Sequence, residues 1–392
     1  MRGESLSVFL CISLSIVRSL DHLVYVYIKQ KTYYKHLYRY IYRNPTTSTT
    51  TYNVMSFGFG LCTDCIATGG MPFQVVGGCE LIGAGGREES LVDYFKTRTG
   101  GRGVFYGTVQ QLHQELATRA VRIPHIHVLA STLPCSSRSG MKAATPGCSR
   151  RGDPLFIEQV HTIAMVRPDI CYVEMVPPDK RYNYPADYKA LEIGLRRVCG
   201  FNHVSTTIVN FSKYGEATKR KRWILVASRV PVSLPRTRAG ATGCSHLLTP
   251  PEEVPESQRV PKENYIPSAR TRHPSKHNCL RTGTVTGVSE RTGRPYHTSF
   301  HHRCYSPSHP WPCITGGTGG GGANGCFYVV DSKGPRKLQL LEAAKIHNLD
   351  RQAIQFLFQL KCEKNILKYI ARSVPTVYLR QLYACFLYAL GS

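Results

Sequence analysis

From about residue 53 the chain alternates short apolar runs with longer stretches whose apolar positions recur at helical spacing. The short runs, at 53–57, 74–79, 103–106, 126–131, 170–174, 204–209 and 223–227, are predicted as strands. Between several of them, 61–68, 90–97, 109–117, 154–166 and 186–198 carry the pattern of helices. Strands that alternate with helices pack as a mostly parallel sheet, because each crossover helix lays an apolar stripe on a sheet face. The expected fold is therefore α/β. Ligands in such folds sit beyond the carboxyl ends of the strands, so residues just past each run are the first candidates for chemistry.

The alternation stops after about Arg229. Residues 230–332 are rich in Pro, Gly, His, Arg and Thr, and 316–325 (GGTGGGGANG) read as a flexible or tightly turning segment. Between Arg229 and Pro310, Lys and Arg number twelve against five Glu, so this stretch is basic as well as irregular. Helical periodicity returns at 337–347, 351–359 and 375–390. The expected plan is a leader over 1–52, a large α/β domain over 53–229, a basic region over 230–332, and C-terminal helices over 333–392 that return to the large domain.

The leader differs in kind from the rest of the chain. Its apolar run at 6–17 is too short to span a bilayer, and no small-residue cleavage site comes after it to make it a signal peptide. A Tyr- and Lys-rich stretch and the polar run PTTSTTT come next, which reads as poorly ordered chain. Over the whole sequence, 50 Lys and Arg face 25 acidic residues, a formal charge of +25. That surplus suits a polyanionic partner: DNA, RNA or an anionic membrane surface. Fifteen cysteines, an odd number without repeated spacing, argue against a disulfide framework and for reduced thiols inside a cell.

Candidate chemistry lies at the predicted strand ends. Residues 53–64 (NVMSFGFGLCTD) run from a strand through a glycine-containing turn into a helix, where a cofactor can approach main-chain N–H groups. Glu80 ends the next strand, well placed for ribose hydroxyls. Cys135 follows a buried strand in HVLASTLPCSSRS, Glu174 ends another in DICYVEMVPP, and Arg220 and Arg222 alternate just ahead of a third. Two residues apart on a strand share a face, so both guanidinium groups are expected to reach one cleft. His297, His301, His302, Cys304, His309 and Cys313 crowd together but match no closed zinc pattern, and Cys62 and Cys65 read as packing.

Taken in order, these segments resemble the successive motifs of the C5-cytosine-specific DNA methyltransferase family. The Gly60-Leu61 turn with Thr63-Asp64 resembles its first motif, and Pro134-Cys135 with Ser139 its catalytic loop. Arg151-Gly152 and Leu155-Phe156 resemble the helix entry after that loop. Glu174-Met175-Val176 resembles Glu-Asn-Val, and Lys213 to Arg222 resembles the segment that ends in Gln-x-Arg-x-Arg. Arg336 with residues 338–344 resembles the Arg-x-Leu-Thr…Glu-Ala-Ala helix, and Ala371 to Pro375 resembles Gly-Asn-Ser-Val-Pro. The chain departs from the family pattern at Gly58, Thr108, Ser136, Met175, Thr218, Ala371 and Arg372.

The resemblance implies a Rossmann-like S-adenosylmethionine-dependent methyltransferase domain, with residues 230–332 as a β-rich target-recognition region for DNA. It implies Cys135 as the nucleophile at cytosine C6, with Glu174, Arg220 and Arg222 completing the catalytic set. S-adenosylmethionine is expected against Ser56, Phe57, Gly60, Leu61, Thr63, Glu80, Pro134, Ser373 and Val374. The implied setting is intracellular, the nucleus if the source is eukaryotic. The same chemistry on a tRNA cytosine, and a decayed nucleic-acid-binding relative, are the alternatives.

Overall fold

A computed structural model describes residues 50–80, 88–132, 154–178, 185–237, 243–259, 265–267, 278–288, 295–314, 328–360 and 363–391. Every predicted strand of the α/β region forms. Strands β1 (Tyr52–Phe57), β2 (Phe73–Cys79), β3 (Val104–Phe105), β4 (Val128–Ser131), β5 (Ile170–Met175), β6 (His203–Asn210) and β8 (Lys221–Ser228) join in one sheet. Its order is β3-β2-β1-β4-β5-β8-β6. The β1–β2, β1–β4, β2–β3 and β4–β5 pairings are parallel, and β8 alone runs antiparallel, to both β5 and β6. A reversed strand near one edge of an otherwise parallel, helix-covered sheet makes this a Rossmann-like α/β fold, as expected.

Period-two alternation assigns each strand residue to a face. Met55, Phe57, Leu129, Cys171, Val173, Met175, Trp223 and Leu225 pack with helices α3 (Val109–Ala117), α4 (Pro154–Val166) and α5 (Pro185–Arg197), as the shared cluster with Leu112, Ile163 and Leu191 shows. Val54, Val128, Ala130, Ile170, Tyr172, Ile224 and Val226 point the other way. They meet helices α1 (Thr63–Thr68) and α2 (Glu88–Arg98) and the C-terminal helices α6 (Leu340–Ile346), α7 (Arg351–Gln359), α8 (Glu363–Arg372) and α9 (Thr376–Gly391). Glu174 shares its face with Tyr172, so it looks toward the C-terminal helices.

Two local features depart from the sequence reading. Helix α1 begins at Thr63 rather than Leu61, because Gly60 and Cys62 hold left-handed backbone (φ 48° and 52°) and delay the first helical turn. Helix α8 was not expected, although Ile366, Leu367 and Ile370 sit at helical spacing.

The basic region and the residues just after it form a five-stranded sheet in the order β14-β13-β11-β10-β9, from β9 (Tyr265–Pro267), β10 (Asn278–Val288), β11 (Pro295–Tyr305), β13 (Tyr328–Asp331) and β14 (Gly334–Lys337). Strands β10 and β11 form its long antiparallel pair. Short strands β7 (Thr218–Lys219) and β12 (Trp311–Pro312) pair in parallel, with the buried Trp311 donating its backbone N–H to the Ala217 carbonyl at 2.7 Å. Among the described residues no helix is long and apolar enough to cross a membrane.

Candidate active site

Beyond β1 the chain turns sharply at Gly58, whose φ is +73°. A Cβ there would lie 2.5 Å from the Thr132 carbonyl oxygen, so only glycine fits. At Gly60 the opposite holds: among the described residues a Cβ would meet nothing nearer than 4.0 Å. The Gly60 N–H donates to Glu80 Oε2 at 2.8 Å, which brings the acid after β2 against the turn after β1. Thr132, just past β4, donates its backbone N–H to Phe57 at 2.9 Å and its hydroxyl to the Gly58 carbonyl. Three neighbouring strand ends thus converge on one turn.

Asp64 anchors that turn from below. Its Oδ2 accepts the Ser56 hydroxyl at 2.7 Å, and its Oδ1 accepts the Tyr172 and Tyr383 hydroxyls at 2.5 and 2.9 Å. Burial pushes the carboxyl up from its ordinary value, and the three hydroxyl donors only partly offset that. The Ser56 hydroxyl is therefore committed to the interior. Phe57, Leu61 and Thr63 are also buried.

On the next strands the charged residues meet. Glu174 on β5 receives Arg220 Nη2 at 3.5 Å and Arg222 Nε at 2.8 Å, both on Oε1. Glu174 is 4% exposed and Arg220 2%, so at least that pair is held away from bulk water. Burying charges is costly unless they are paired and hydrogen-bonded, and Arg220 is also tied through Nη1 to the Ala371 carbonyl at 2.6 Å. The two arginines converge on one carboxylate as their spacing predicts. Pro134, Cys135 and Ser139 lie outside the described residues. The chain leaves β4 after Ser131, which pairs with Val173, the residue before Glu174.

Ser373 and Val374 follow α8 and are buried. Ser373 Oγ donates to the Ile370 carbonyl at 2.7 Å and stands 3.1 Å from His347 Nδ1. Sequence reasoning missed His347, and it missed Glu216, which is fully buried and caps the start of α9 by accepting the Tyr378 N–H at 3.0 Å. It also missed the partnership between Arg336 and Glu342, joined at 2.7 and 2.9 Å with Asp331 on the Arg336 Nε. The carboxyl–N–H and guanidinium–carboxylate pairings were invisible in sequence because the partners come from separate elements.

A possible metal group lies elsewhere: ligand atoms of His125, His127 and Asp169 stand within 4.8 Å of one another. His127 Nδ1 already accepts the Asn53 N–H at 2.9 Å, which puts the imidazole proton on Nε2 and leaves that ring no lone pair for a cation. The rest of the group is an exposed His125–Asp169 contact. Of the crowded His and Cys residues in the basic region, the side chains of His297, His301, His302 and Cys304 lie outside the described set.

The model of the C-5 cytosine-specific DNA methylase family matches residues 68–384. The chain belongs to that family. Among curated proteins none matches. Solved structures that resemble it include an Entamoeba histolytica methyltransferase, EhMeth (12% identity, TM-score 0.55, 87% of this chain and 99% of that one). The S. pombe Dnmt2 methyltransferase is similar at 12% identity and TM-score 0.55, over 87% of this chain and all of that one. A putative DNA modification methyltransferase of an E. coli prophage gives 13% identity and TM-score 0.54, over 87% of this chain and all of that one. At these identities the likeness concerns the fold.

Family membership makes this methylase an enzyme of methyl transfer to cytosine C5, with S-adenosylmethionine the implied donor and nucleic acid the implied substrate. The residues fit such a donor on one observation: among the described residues nothing crowds the Gly60 backbone, which stands beside a strand-end carboxylate. Two departures from the family pattern have local explanations. Thr108 caps α3 in a reciprocal box with Gln111, and Met175 fills the core.

Proposed function

We propose that this methylase transfers a methyl group to C5 of cytosine in DNA, with Cys135 as nucleophile and the target base flipped out of the helix. The observation that carries the reading is the convergence of Glu174, Arg220 and Arg222 at the end of β5, beside the strand end that leads to Cys135. C5 of cytosine is a poor nucleophile until a thiolate adds at C6, which gives C5 enamine character. Arg220 and Arg222 favour the thiolate, because positive charge stabilises the anion. Glu174, held in place by both, takes hydrogen bonds from the base and stabilises charge that develops during attack. Loss of the C5 proton afterwards lets the sulfur leave as thiolate. S-adenosylmethionine supplies an electrophilic methyl group. Gly60, Leu61, Thr63 and Glu80, with Ser56, Phe57, Pro134, Ser373 and Val374 around them, are the residues to hold it.

The basic region over 230–332 is the proposed grip on DNA through phosphate and base contacts. Flipping the base out of the duplex costs a few kcal/mol. The test uses DNA carrying 5-fluorocytosine beside a tRNA with the same substitution. Fluorine at C5 blocks the elimination, so wild-type protein should remain covalently bound to the DNA. Cys135→Ser should abolish the adduct, Cys148→Ser should leave it, and Glu174→Gln should slow its formation while DNA binding persists. An adduct with tRNA alone would move the substrate. No adduct from protein that binds DNA and cofactor would favour the decayed relative.

A further inference from the structure

His347 is fully buried and does not belong to the catalytic set drawn from the sequence. Its proton can be located by elimination. The Ser373 hydroxyl proton is spent on the Ile370 carbonyl at 2.7 Å, so the 3.1 Å contact with His347 requires the imidazole to donate from Nδ1. Nε2 then carries a bare lone pair, and it has no hydrogen-bond partner among the described residues. Burial first, and then the charges of Arg220 and Arg222, hold this imidazole well below its ordinary range, so it stays neutral.

An acceptor left unpaired in the interior is unfavourable. If the position served packing alone, an aliphatic side chain would fill it without that penalty. The other nitrogen is therefore where the benefit lies, and its partner is specific. Ser373 is fastened to the last turn of α8, and the next residue after Ile370 is Ala371, whose carbonyl holds Arg220 Nη1 at 2.6 Å. Arg220 Nη2 stands 3.5 Å from Glu174. A continuous path runs from the imidazole, through Ser373 and the end of α8, to the carboxylate.

We infer that His347 is a positioning residue: its Nδ1–H, through Ser373, fixes the α8 terminus that aims Arg220 and Glu174 at the base. The inference rests on the reading of Glu174 and Arg220 as residues that act on the base. A neutral imidazole suits the task, since a third cation would compete with Arg220 and Arg222 for the single carboxylate. The role belongs to one nitrogen, which makes it separable from bulk and from charge.

The test measures the rate of adduct formation with 5-fluorocytosine DNA, together with DNA affinity, cofactor affinity and the thermal midpoint. Asparagine places its amide nitrogen where the Nδ1 of His347 lies, whereas glutamine reaches the position of Nε2. His347→Leu should slow trapping about 10- to 100-fold, as small misplacements of catalytic groups do, with DNA affinity unchanged. His347→Asn should restore most of the rate and His347→Gln should not. At saturating S-adenosylmethionine, where any weaker cofactor binding through Ser373 is masked, Ser373→Ala should show the same loss, and adding His347→Leu to it should bring little further loss, as expected of two links in one path. Ser373→Ala keeps the question answerable if His347→Leu fails to fold. Rescue by Gln rather than Asn, or a His347→Leu protein that traps at the wild-type rate, overturns the inference. Absence of any adduct from the wild type would instead count against the proposed chemistry, so the two failures are distinguishable.

Discussion

Replacing Asp64 tests whether the turn after β1, the proposed cofactor turn, is held by hydrogen bonds or by charge. Three hydroxyls, from Ser56, Tyr172 and Tyr383, end on this one carboxylate, at 2.7, 2.5 and 2.9 Å. Asp64→Ala deletes the acceptor and leaves all three donors buried. Each orphaned hydroxyl costs about 1–3 kcal/mol, and partial relaxation brings the expected loss to about 3–5 kcal/mol rather than the full sum. Asp64→Asn keeps an oxygen for the two tyrosines, and its amide can donate to Ser56 Oγ once that hydroxyl rotates. Its expected change is within about 1 kcal/mol of zero, because burial already disfavours the charge that the amide removes. The sign of the pH effect comes from the raised carboxyl. Its stabilising contribution is complete below the unfolded value and is lost as pH rises through the folded one. The Asn variant should lack that component. Urea unfolding followed by near-ultraviolet circular dichroism gives the stabilities, and titration with S-adenosylmethionine gives the affinity of the turn, which should fall in the Ala variant. An Ala variant that loses less than about 1 kcal/mol would refute the reasoning. So would an Asn variant as damaged as Ala, since charge rather than hydrogen bonding would then hold the turn.

Glu216 supplies a second pH signature. Burial lifts its carboxyl from 4.5 to about 7 against the hydrogen bonds it accepts, so stability should decline by about 3 kcal/mol as pH rises through that range, and Glu216→Gln should flatten the profile of unfolding midpoints. Glu342→Ala strands the fully buried Arg336 with Asp331 as its remaining carboxylate. The expected loss is about 3–5 kcal/mol, read by urea unfolding, with faster proteolysis near residues 249–259, whose Thr249 N–H also donates to Glu342. DNA affinity should fall steeply between low and physiological salt, and a salt-independent Kd would remove the phosphate-gripping role of the basic region.

The sheet was legible because its central strands are apolar on both faces, and apolar positions recur at helical spacing in the segments between them. Met55 and Val54, or Val173 and Tyr172, serve opposite layers, and that dual demand writes a continuous apolar run into the sequence. The strand-end residues Glu174, Arg220 and Arg222 were legible for the same reason, since topology gathers strand ends. The long pair β10 and β11 left a weaker trace. Its Thr-, Gly- and His-rich segments lack long apolar runs, and pairing between strands is not a property of either alone. The partners of the buried polar residues were not legible. Asp64 meets Tyr383 across 319 positions and Glu216 meets Tyr378 across 162, and nothing within a local window reports such a partner.

Those illegible contacts share a geometry that explains why the C-terminal helices matter to a site built mainly from strands. A strand end can present a group, but the loop beyond it has few neighbours to hold it still. Asp64 ties the β1 turn to α9 through Tyr383, and Glu216 ties the segment ahead of Arg220 to the first turn of α9. The α8 carbonyl of Ala371 holds Arg220 itself. Each contact joins a site loop to a helix that is itself packed in the core through residues such as Leu379, Leu382 and Phe386. These ties set the order of events on unfolding. Once α9 is displaced, Asp64 and Glu216 each lose a donor, so the turn after β1 and the arginine segment loosen together while the strands remain paired. Hydrogen exchange of the Gly60, Tyr378 and Trp311 amides should therefore rise in concert under mild urea, ahead of the amides of β4 and β5. If the Gly60 amide exchanged with the strand amides instead, the turn would owe its rigidity to the sheet and not to the helices laid over it.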